Sequence, residues 1–141
     1  MDTLSIAREA IAEIQWRFPS LRIVEDQSIP VELSFSIPVQ PGVKYRVWLG
    51  LQNNDELSFG VGSFQVQWFP CTDPARVKEF VEAVAGYLSG NYRIVEHRWG
   101  KKCVKAQLQA PDGARWRTLG TCSNLWALML GRKITTEIRN A

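Results

Sequence analysis

Residues 44–61 read KYRVWLGLQNNDELSFGV, and this segment indicates the architecture of the chain more clearly than any other. Apolar side chains alternate with other residues on both sides of residues 53–55, a pattern typical of two strands joined by a tight turn. A three-residue loop would pair Leu51 with Leu57, whereas a two-residue loop would place Leu51 opposite Glu56. Because apolar pairs stabilise a sheet face, we predict an antiparallel hairpin with the three-residue loop.

The flanking residues extend this hairpin into a larger sheet. The favoured register places Trp48 opposite Gly60, where an indole ring can cover bare backbone. The apolar phase reverses after Val61, so a turn or a bulge is expected at residues 62–63. The glycines there are a weaker match to a phosphate-binding loop, because the third glycine and the following helix of such a loop are missing. Upstream, residues 31–39 alternate strictly and predict a further half-buried strand.

Two helices are predicted on either side of these strands. Residues 3–18 carry apolar side chains three and four positions apart, which makes one apolar stripe, and either Asp2 or Thr3 can cap this helix. The second helix begins at Asp73-Pro74, with Asp as the N-cap and Pro at the first helical position. Each helix has one apolar face to bury, so we expect both to pack on one side of the sheet.

The C-terminal part is predicted to form a three-stranded meander over residues 92–119. Its first turn, at residues 99–102, reads WGKK and has the leading glycine of a type II′ turn. This turn would place Glu96 opposite Lys105, as a cross-strand ion pair. The second turn, at residues 110–113, reads APDG and has the composition of a type I turn followed by a bulge glycine.

Together these elements predict an α+β fold in the order α-β(4–5)-α-β(3)-tail. About seven or eight strands would form a largely antiparallel sheet, with the two main helices packed on one side of it. In the tail, residues 123–130 are predicted to form a short helix capped by Ser123, and residues 133–138 a last strand. A chain of 141 residues can bury a core of its own, so residues 1–141 are interpreted as a single α+β domain.

The predicted meander also collects positive charge. Residues 1–90 contain seven Lys/Arg and eleven Asp/Glu, a net charge of −4, whereas residues 91–141 contain ten Lys/Arg and three Asp/Glu, a net charge of +7. The turn registers place Arg93, His97 and Trp116 on the side that faces the core. The opposite side is polar and basic and supplies the candidate binding residues, which are Tyr92, Arg98, Lys105, Gln107, Gln109, Arg115 and Arg117.

This basic face has three interpretations. It can be a solvated surface that keeps the protein soluble, or it can match the outward-facing carboxylates of the helices, within one chain or across a homodimer. It can also dock an anion, which leads to our main hypothesis of a non-enzymatic binding or adaptor module for an acidic protein or another anionic partner. The first alternative is single-stranded nucleic acid, since Tyr92 lies beside cations, although such platforms usually offer a row of rings.

Catalytic and metal-binding signatures are missing from the sequence. No G-x-S-x-G, Walker or H-E-x-x-H motif occurs, and the three cysteines form no C-x-x-C pair, so no catalytic residue, metal or cofactor is predicted. The single histidine, His97, is interpreted as a core or rim residue. A small enzyme is the second alternative, with a carboxylate pair or Cys71 acting in a pocket between helix and sheet.

Trp16 lies nearly opposite the apolar stripe of the first helix. It is interpreted either as packed under another element or as a contact with a partner or a second copy of the chain. An odd number of cysteines argues against a disulfide framework and for a reducing compartment. No apolar run approaches the ~20 residues of a membrane span, so we expect a soluble, cytoplasmic protein with no membrane partner.

Overall fold

The computed structural model describes residues 2–99, 102–123 and 133–140. Over these ranges the chain forms two α-helices and nine β-strands. The elements are α1 (Thr3–Arg17), β1 (Val24–Glu25), β2 (Leu33–Ile37), β3 (Val47–Gln52), β4 (Glu56–Val61), β5 (Phe64–Trp68), α2 (Pro74–Leu88), β6 (Arg93–Trp99), β7 (Lys102–Asp112), β8 (Arg115–Ser123) and β9 (Lys133–Arg139). The predicted α+β fold with antiparallel strands is confirmed, although the strands divide into a five-stranded N-terminal sheet and a four-stranded C-terminal sheet.

The N-terminal sheet is a meander in the order β1-β2-β3-β4-β5. The predicted hairpin register is confirmed, since Leu51 lies opposite Leu57 and Trp48 lies opposite Gly60. The predicted phase reversal is a two-residue turn between β4 and β5, in which Gly62 adopts φ +57°. A left-handed backbone at this position favours glycine, which explains why the turn forms there.

Both helices begin at predicted N-caps. The Asp2 carboxylate accepts a hydrogen bond from the Ser5 amide at 2.8 Å, and the Asp73 carboxylate accepts one from the Ala75 amide at 2.9 Å. Each cap of this kind contributes about 1 kcal/mol. α1 packs against β3 and α2, and α2 packs against β4 and β5. The two helices therefore lie side by side on one face of the N-terminal sheet, as expected.

Aromatic rings join α2 to this sheet. The ring of Phe59 on β4 lies 5.6 Å from the ring of Tyr87, and the ring of Trp68 on β5 lies 5.8 Å from that of Phe80. Such ring pairs contribute about 0.5–1.5 kcal/mol each beyond the area they bury. They anchor α2 over β4 and β5, the two strands next to the C-terminal sheet.

The C-terminal sheet has the order β8-β7-β6-β9, and its predicted register is correct only beside the first turn. Arg98 lies opposite Cys103, as the WGKK turn requires, but His97 then lies opposite Lys105. Val104 is thus an extra residue on β7, a β-bulge. A one-residue slip exchanges the two faces of a strand relative to its neighbour, so the predicted faces are correct for β7 and wrong for β6.

The second turn of the meander also differs from the prediction. β7 continues to Asp112, which lies opposite Arg115 across a two-residue turn that contains Gly113 at φ +62°. Pro111 is tolerated in the strand because β6 begins opposite Gln109, so this part of β7 has no neighbouring strand on its β6 side within the described sheet. The shorter turn also exchanges the faces of residues 115–118 of β8, and a second register shift, at Leu119, returns Gly120 to the side of Leu108.

The last strand, predicted at residues 133–138, is confirmed as β9, which pairs with β6 in antiparallel orientation. Ser123 is not a helix cap but the final residue of β8. The rest of the helix predicted at residues 123–130 lies outside the described residues.

Contacts at Asn140 and at Gly120 help to join the C-terminal sheet to the rest of the molecule. The buried amide of Asn140, just after β9, donates to the carbonyl of Gly42 at 2.6 Å and to that of Leu88 at 3.0 Å. On β8, Gly120 lies against Val66 of β5, so closely that a Cβ at Gly120 would be 3.1 Å from Val66 Cγ2. These contacts hold the inner face of the C-terminal sheet against the N-terminal sheet and leave its opposite face pointing outward.

Candidate functional site

Arg98, one of the seven candidate residues, lies beside a buried carboxylate and not on the predicted basic face. Its Nη2 and Nε donate to Glu96 Oε2 at 2.6 and 3.1 Å. Glu96 is only 1% exposed, and its Oε1 also accepts a hydrogen bond from the Ser63 amide at 3.4 Å. The predicted pair of Glu96 with Lys105 is not formed. Because a buried carboxylate is costly without a cation, we interpret Arg98 as a structural residue.

Tyr92 and Arg117 line a cleft of about 350 Å³ between α2 and β8. The Tyr92 ring lies against Gly86 and occupies the space that a larger side chain would need. Glu79 and Glu82 of α2 line the same cleft as Arg117. For Arg117, this arrangement favours the interpretation in which the basic strands match the acidic helices of the same chain.

Arg115 lies apart from the other candidates, at the tip of the β7–β8 hairpin, where it is exposed and opposite Asp112. Because the faces of β8 are exchanged, it shares a side of the strand with Arg117. Four of the seven candidates, namely Tyr92, Arg98, Arg115 and Arg117, therefore do not lie with the other three.

Lys105, Gln107 and Gln109 do share one face of the C-terminal sheet. Arg93, His97 and Trp116, which were predicted to face the core, join them because the faces of β6 and β8 are exchanged. β9 adds one carboxylate and one cation to the same side. We call this surface the outer face and define it by eight of its residues, which are Arg93, His97, Lys105, Gln107, Gln109, Trp116, Glu137 and Arg139.

The centre of the outer face is an indole ring with two nearby guanidinium groups. Cζ of Arg93 lies 4.2 Å from the centre of the Trp116 ring, and Cζ of Arg139 lies 5.5 Å from it. Arg93 also donates to Gln109 Oε1 and to Glu137 Oε2, both at 2.9 Å. Cation–π contacts contribute about 0.5–2 kcal/mol each. Together these contacts hold side chains of all four strands of the C-terminal sheet in one arrangement.

Positive charge dominates the outer face. Three of its eight residues are lysine or arginine, and Glu137 is the one carboxylate among them. His97 Nε2 lies 3.2 Å from Gln107 Oε1, so the histidine binds a neighbouring amide on the surface and does not pack in the core. The face offers cationic and amide N–H donors, which is the chemistry that binds carboxylates and phosphates.

The enzyme alternative requires a pocket between helix and sheet beside Cys71. The groove found there, of about 420 Å³, lies instead between α1 and α2, and Cys71, Glu13 and Glu82 help to line it. Cys71 is 1% exposed, and burial, with a smaller effect of Asp55, raises the pKa of its thiol. A raised pKa opposes the thiolate form that a nucleophile needs. Nη2 of Arg17 binds Glu13 and Glu82 at 3.1 Å each, so these carboxylates join the two helices through one guanidinium.

Trp16 is 80% exposed on α1. Of its two interpretations, packing under another element does not hold within the described part of the chain. Its role as a contact for a partner or for a second copy stays a prediction.

The described residues bear on two further questions, whether side chains gather into a metal site and whether a helix could span a membrane. Within residues 2–99, 102–123 and 133–140, no three His, Cys, Asp or Glu side chains come together as a metal site would require. Neither α1 nor α2 is long and apolar enough to cross a membrane.

Comparisons with known proteins add no family or function. No family model matched the sequence, and no curated protein or solved structure gave a significant match. The proposals below therefore depend on the residues of this chain alone.

Proposed function

We propose that this protein is a binding module that docks an acidic segment of a partner protein on the outer face of its C-terminal sheet. The observation that carries the proposal is the presence of Arg93, Lys105 and Arg139 on one face, where Arg93 and Arg139 also contact an indole ring. Carboxylates form charge-assisted hydrogen bonds with such groups, which are about twice as strong as neutral ones. An extended acidic segment would meet these cations together with the amides of Gln107 and Gln109.

The distribution of charge supports an external partner. Elsewhere, Arg17 binds Glu13 and Glu82 across the two helices, and Arg117 shares a cleft with carboxylates of α2. Arg17 is thus matched within the chain, and Arg117 lies beside carboxylates of the same chain. On the outer face, Glu137 is the one carboxylate beside three cations, and this excess favours a negatively charged partner over an internal match.

Single-stranded nucleic acid suits the outer face less well. Bases stack on aromatic rings whose faces are accessible, but the Trp116 ring already has Arg93 at 4.2 Å and Arg139 at 5.5 Å from its centre. A base would have to displace a guanidinium that also binds Glu137. Carboxylates can bind the same cations without reaching the ring, so an acidic protein segment is the preferred partner.

The experiment is fluorescence anisotropy with a labelled decaglutamate peptide at low ionic strength. Lys105→Glu reverses a charge on the outer face and leaves the Arg–Trp contacts in place. We expect the affinity for the peptide to fall about tenfold, which is about 1.4 kcal/mol, because like charges would then meet. The melting temperature should change little.

The matched control is Lys78→Glu, which changes the net charge equally at an exposed position of α2. It should leave the affinity close to that of the unmodified protein. Equal losses in the two variants, or no binding of the peptide at all, would overturn the proposal. Binding of an oligo(dT) probe in place of the peptide, with an affinity that falls steeply with salt, would favour the nucleic-acid alternative.

A further inference from the structure

The face of the N-terminal sheet away from the helices carries an indole ring that lies flat on the backbone. A Cβ at Gly50 would be 2.6 Å from Trp48 Cζ2 and 2.8 Å from the Leu33 carbonyl oxygen, closer than Cβ atoms approach other atoms. A Cβ at Gly60 would be 3.7 Å from Trp48 Cε3. The ring thus spans both glycines, and the position of the ring requires the absence of a side chain at Gly50.

A hydrogen bond from the neighbouring strand fixes this ring. Nε1 of Trp48 donates to Ser34 Oγ on β2 at 2.8 Å. One side of the indole lies on the backbone and its polar atom is bound, while the residue as a whole is only partly buried. The ring therefore presents its other side as a flat apolar surface of fixed orientation.

Trp48 lines a groove of about 510 Å³ on this face. That volume is within the range of roughly 300–1,000 Å³ found for small-molecule sites. Ile29 and Val31, from the segment between β1 and β2, supply apolar walls, and Gln52 and Gln65 supply amides. An apolar surface with a few polar groups suits a flat ring that carries polar substituents.

Arg46 gives this groove a positive charge. It lies two residues before Trp48, so both side chains are on the same face, about 7 Å apart along the chain. Its Nε donates to Ser36 Oγ at 2.8 Å, which orients the guanidinium. Arg46 also lines a neighbouring groove with Arg22 and Asp26. Hydrogen bonds from Ser28 lower the pKa of the Asp26 carboxyl group, and Arg46 lowers it to a smaller extent, so the guanidinium serves both grooves.

We propose that this groove binds a nucleotide, with the base stacked on Trp48 and the phosphate bound by Arg46. The base and the phosphate of one nucleotide are separated by its sugar, a distance comparable to the spacing of the two side chains. The amides of Gln52 and Gln65 each offer donors and an acceptor that can pair with the edge of a base. An uncharged sugar could also stack on the indole, but it would gain nothing from the guanidinium.

The test is isothermal titration calorimetry with AMP, adenosine and methyl glucoside. We expect AMP to bind at least about fivefold more tightly than adenosine, since a phosphate forms charge-assisted bonds with a guanidinium. Arg46→Gln should reduce the affinity for AMP to that for adenosine and leave adenosine binding unchanged. Trp48→Leu should weaken both ligands about tenfold, because stacking is lost. If Trp48→Leu does not fold, Trp48→Phe keeps a smaller ring and should weaken both ligands to a lesser extent.

The control is Arg22→Gln, which removes one positive charge on the same side of the protein but outside this groove. It should leave AMP binding unchanged, as should Lys105→Glu on the outer face, so this inference stands apart from the proposed docking function. The nucleotide proposal is overturned by any of three results. These are no heat of binding with millimolar AMP, equal affinities for AMP and adenosine, or methyl glucoside binding more tightly than AMP.

Discussion

Cζ of Arg93 lies 4.2 Å from the centre of the Trp116 ring, although the two residues belong to strands that are not neighbours. Arg93 is on β6 and Trp116 is on β8, and their side chains meet over β7, which lies between them. The contact lies on the outer face because the bulge at Val104 exchanges the faces of β6, while the short turn at Gly113 exchanges those of the start of β8. Two local irregularities thus place residues of β6 and β8 on the outer face beside those of β7 and β9.

The first prediction concerns this contact. Trp116→Ala should lower the free energy of unfolding by about 1–3 kcal/mol, because two cation–π contacts and the area of a half-buried ring are lost. Trp116→Phe keeps a ring under the guanidinium groups and should cost clearly less. Urea denaturation followed by circular dichroism measures both values. Equal losses in the two variants would mean that the stacking contributes nothing.

The second prediction concerns the ion pair between Arg98, whose side chain is 36% exposed, and the buried carboxylate of Glu96. Arg98→Met should lower the free energy of unfolding by about 3 kcal/mol, because it leaves the carboxylate of Glu96 buried and without its cation. Replacing both partners, Glu96→Leu with Arg98→Met, should restore most of this loss, since two apolar side chains of similar size need no hydrogen bonds. Chemical denaturation of the three proteins gives the comparison. A double variant less stable than Arg98→Met would show that the pair is needed for more than charge compensation.

The third prediction compares the helix propensity of Ala with the packing of the Tyr92 ring at Gly86. Ala usually stabilises a helix by up to about 1 kcal/mol over Gly, but Gly86→Ala should destabilise this protein, because the Tyr92 ring occupies the space of the new Cβ. Adding Tyr92→Ala to this variant removes the clash. The double variant should then be more stable than Tyr92→Ala alone, by the propensity of Ala. A gain in melting temperature for Gly86→Ala alone would contradict the contact.

The fourth prediction concerns Cys71, whose thiol has a raised pKa because it is buried. We expect it to resist a disulfide reagent at pH 8 in the folded protein and to react once urea unfolds the chain. Cys71→Ala should therefore leave the number of fast-reacting thiols unchanged. A decrease of one thiol in this variant would contradict the burial of Cys71. Because the folded pKa is above the ordinary value of 9.0, the stability that this group contributes should be lost as the pH rises past 9.0.

Local signals in the sequence predicted the N-terminal part correctly. The hairpin register followed from the choice between Leu57 and Glu56 as the partner of Leu51, where one option buried a charge and the other did not. The N-caps at Asp2 and Asp73 followed from the chemistry of helix ends. Each decision needed only residues close in the chain and one apolar face, which is why it could be made without coordinates.

The C-terminal sheet could be predicted only in part, because a bulge inserts one residue without a composition of its own. Val104 is such a residue, and nothing in its neighbours marks it. One feature of the sequence argued against the predicted register of β6, since that register put Ile94 on the polar face and His97 on the apolar face. In the structure Ile94 is fully buried and His97 lies on the surface. Lys105 was placed on the correct face because the assignment of β7 did not depend on that bulge.

The docking function is tested most directly by an NMR titration of the ¹⁵N-labelled protein with decaglutamate. The quantities measured are the chemical-shift changes of the backbone and indole N–H groups. We expect the largest shifts at Lys105, Gln107 and Gln109 and at the indole N–H of Trp116. At the same subsaturating peptide concentration, the shifts of Gln107, Gln109 and the Trp116 indole should be clearly smaller in the Lys105→Glu variant. Shifts that centre on the groove between α1 and α2, or on Trp48, or the absence of any shift, would contradict the account.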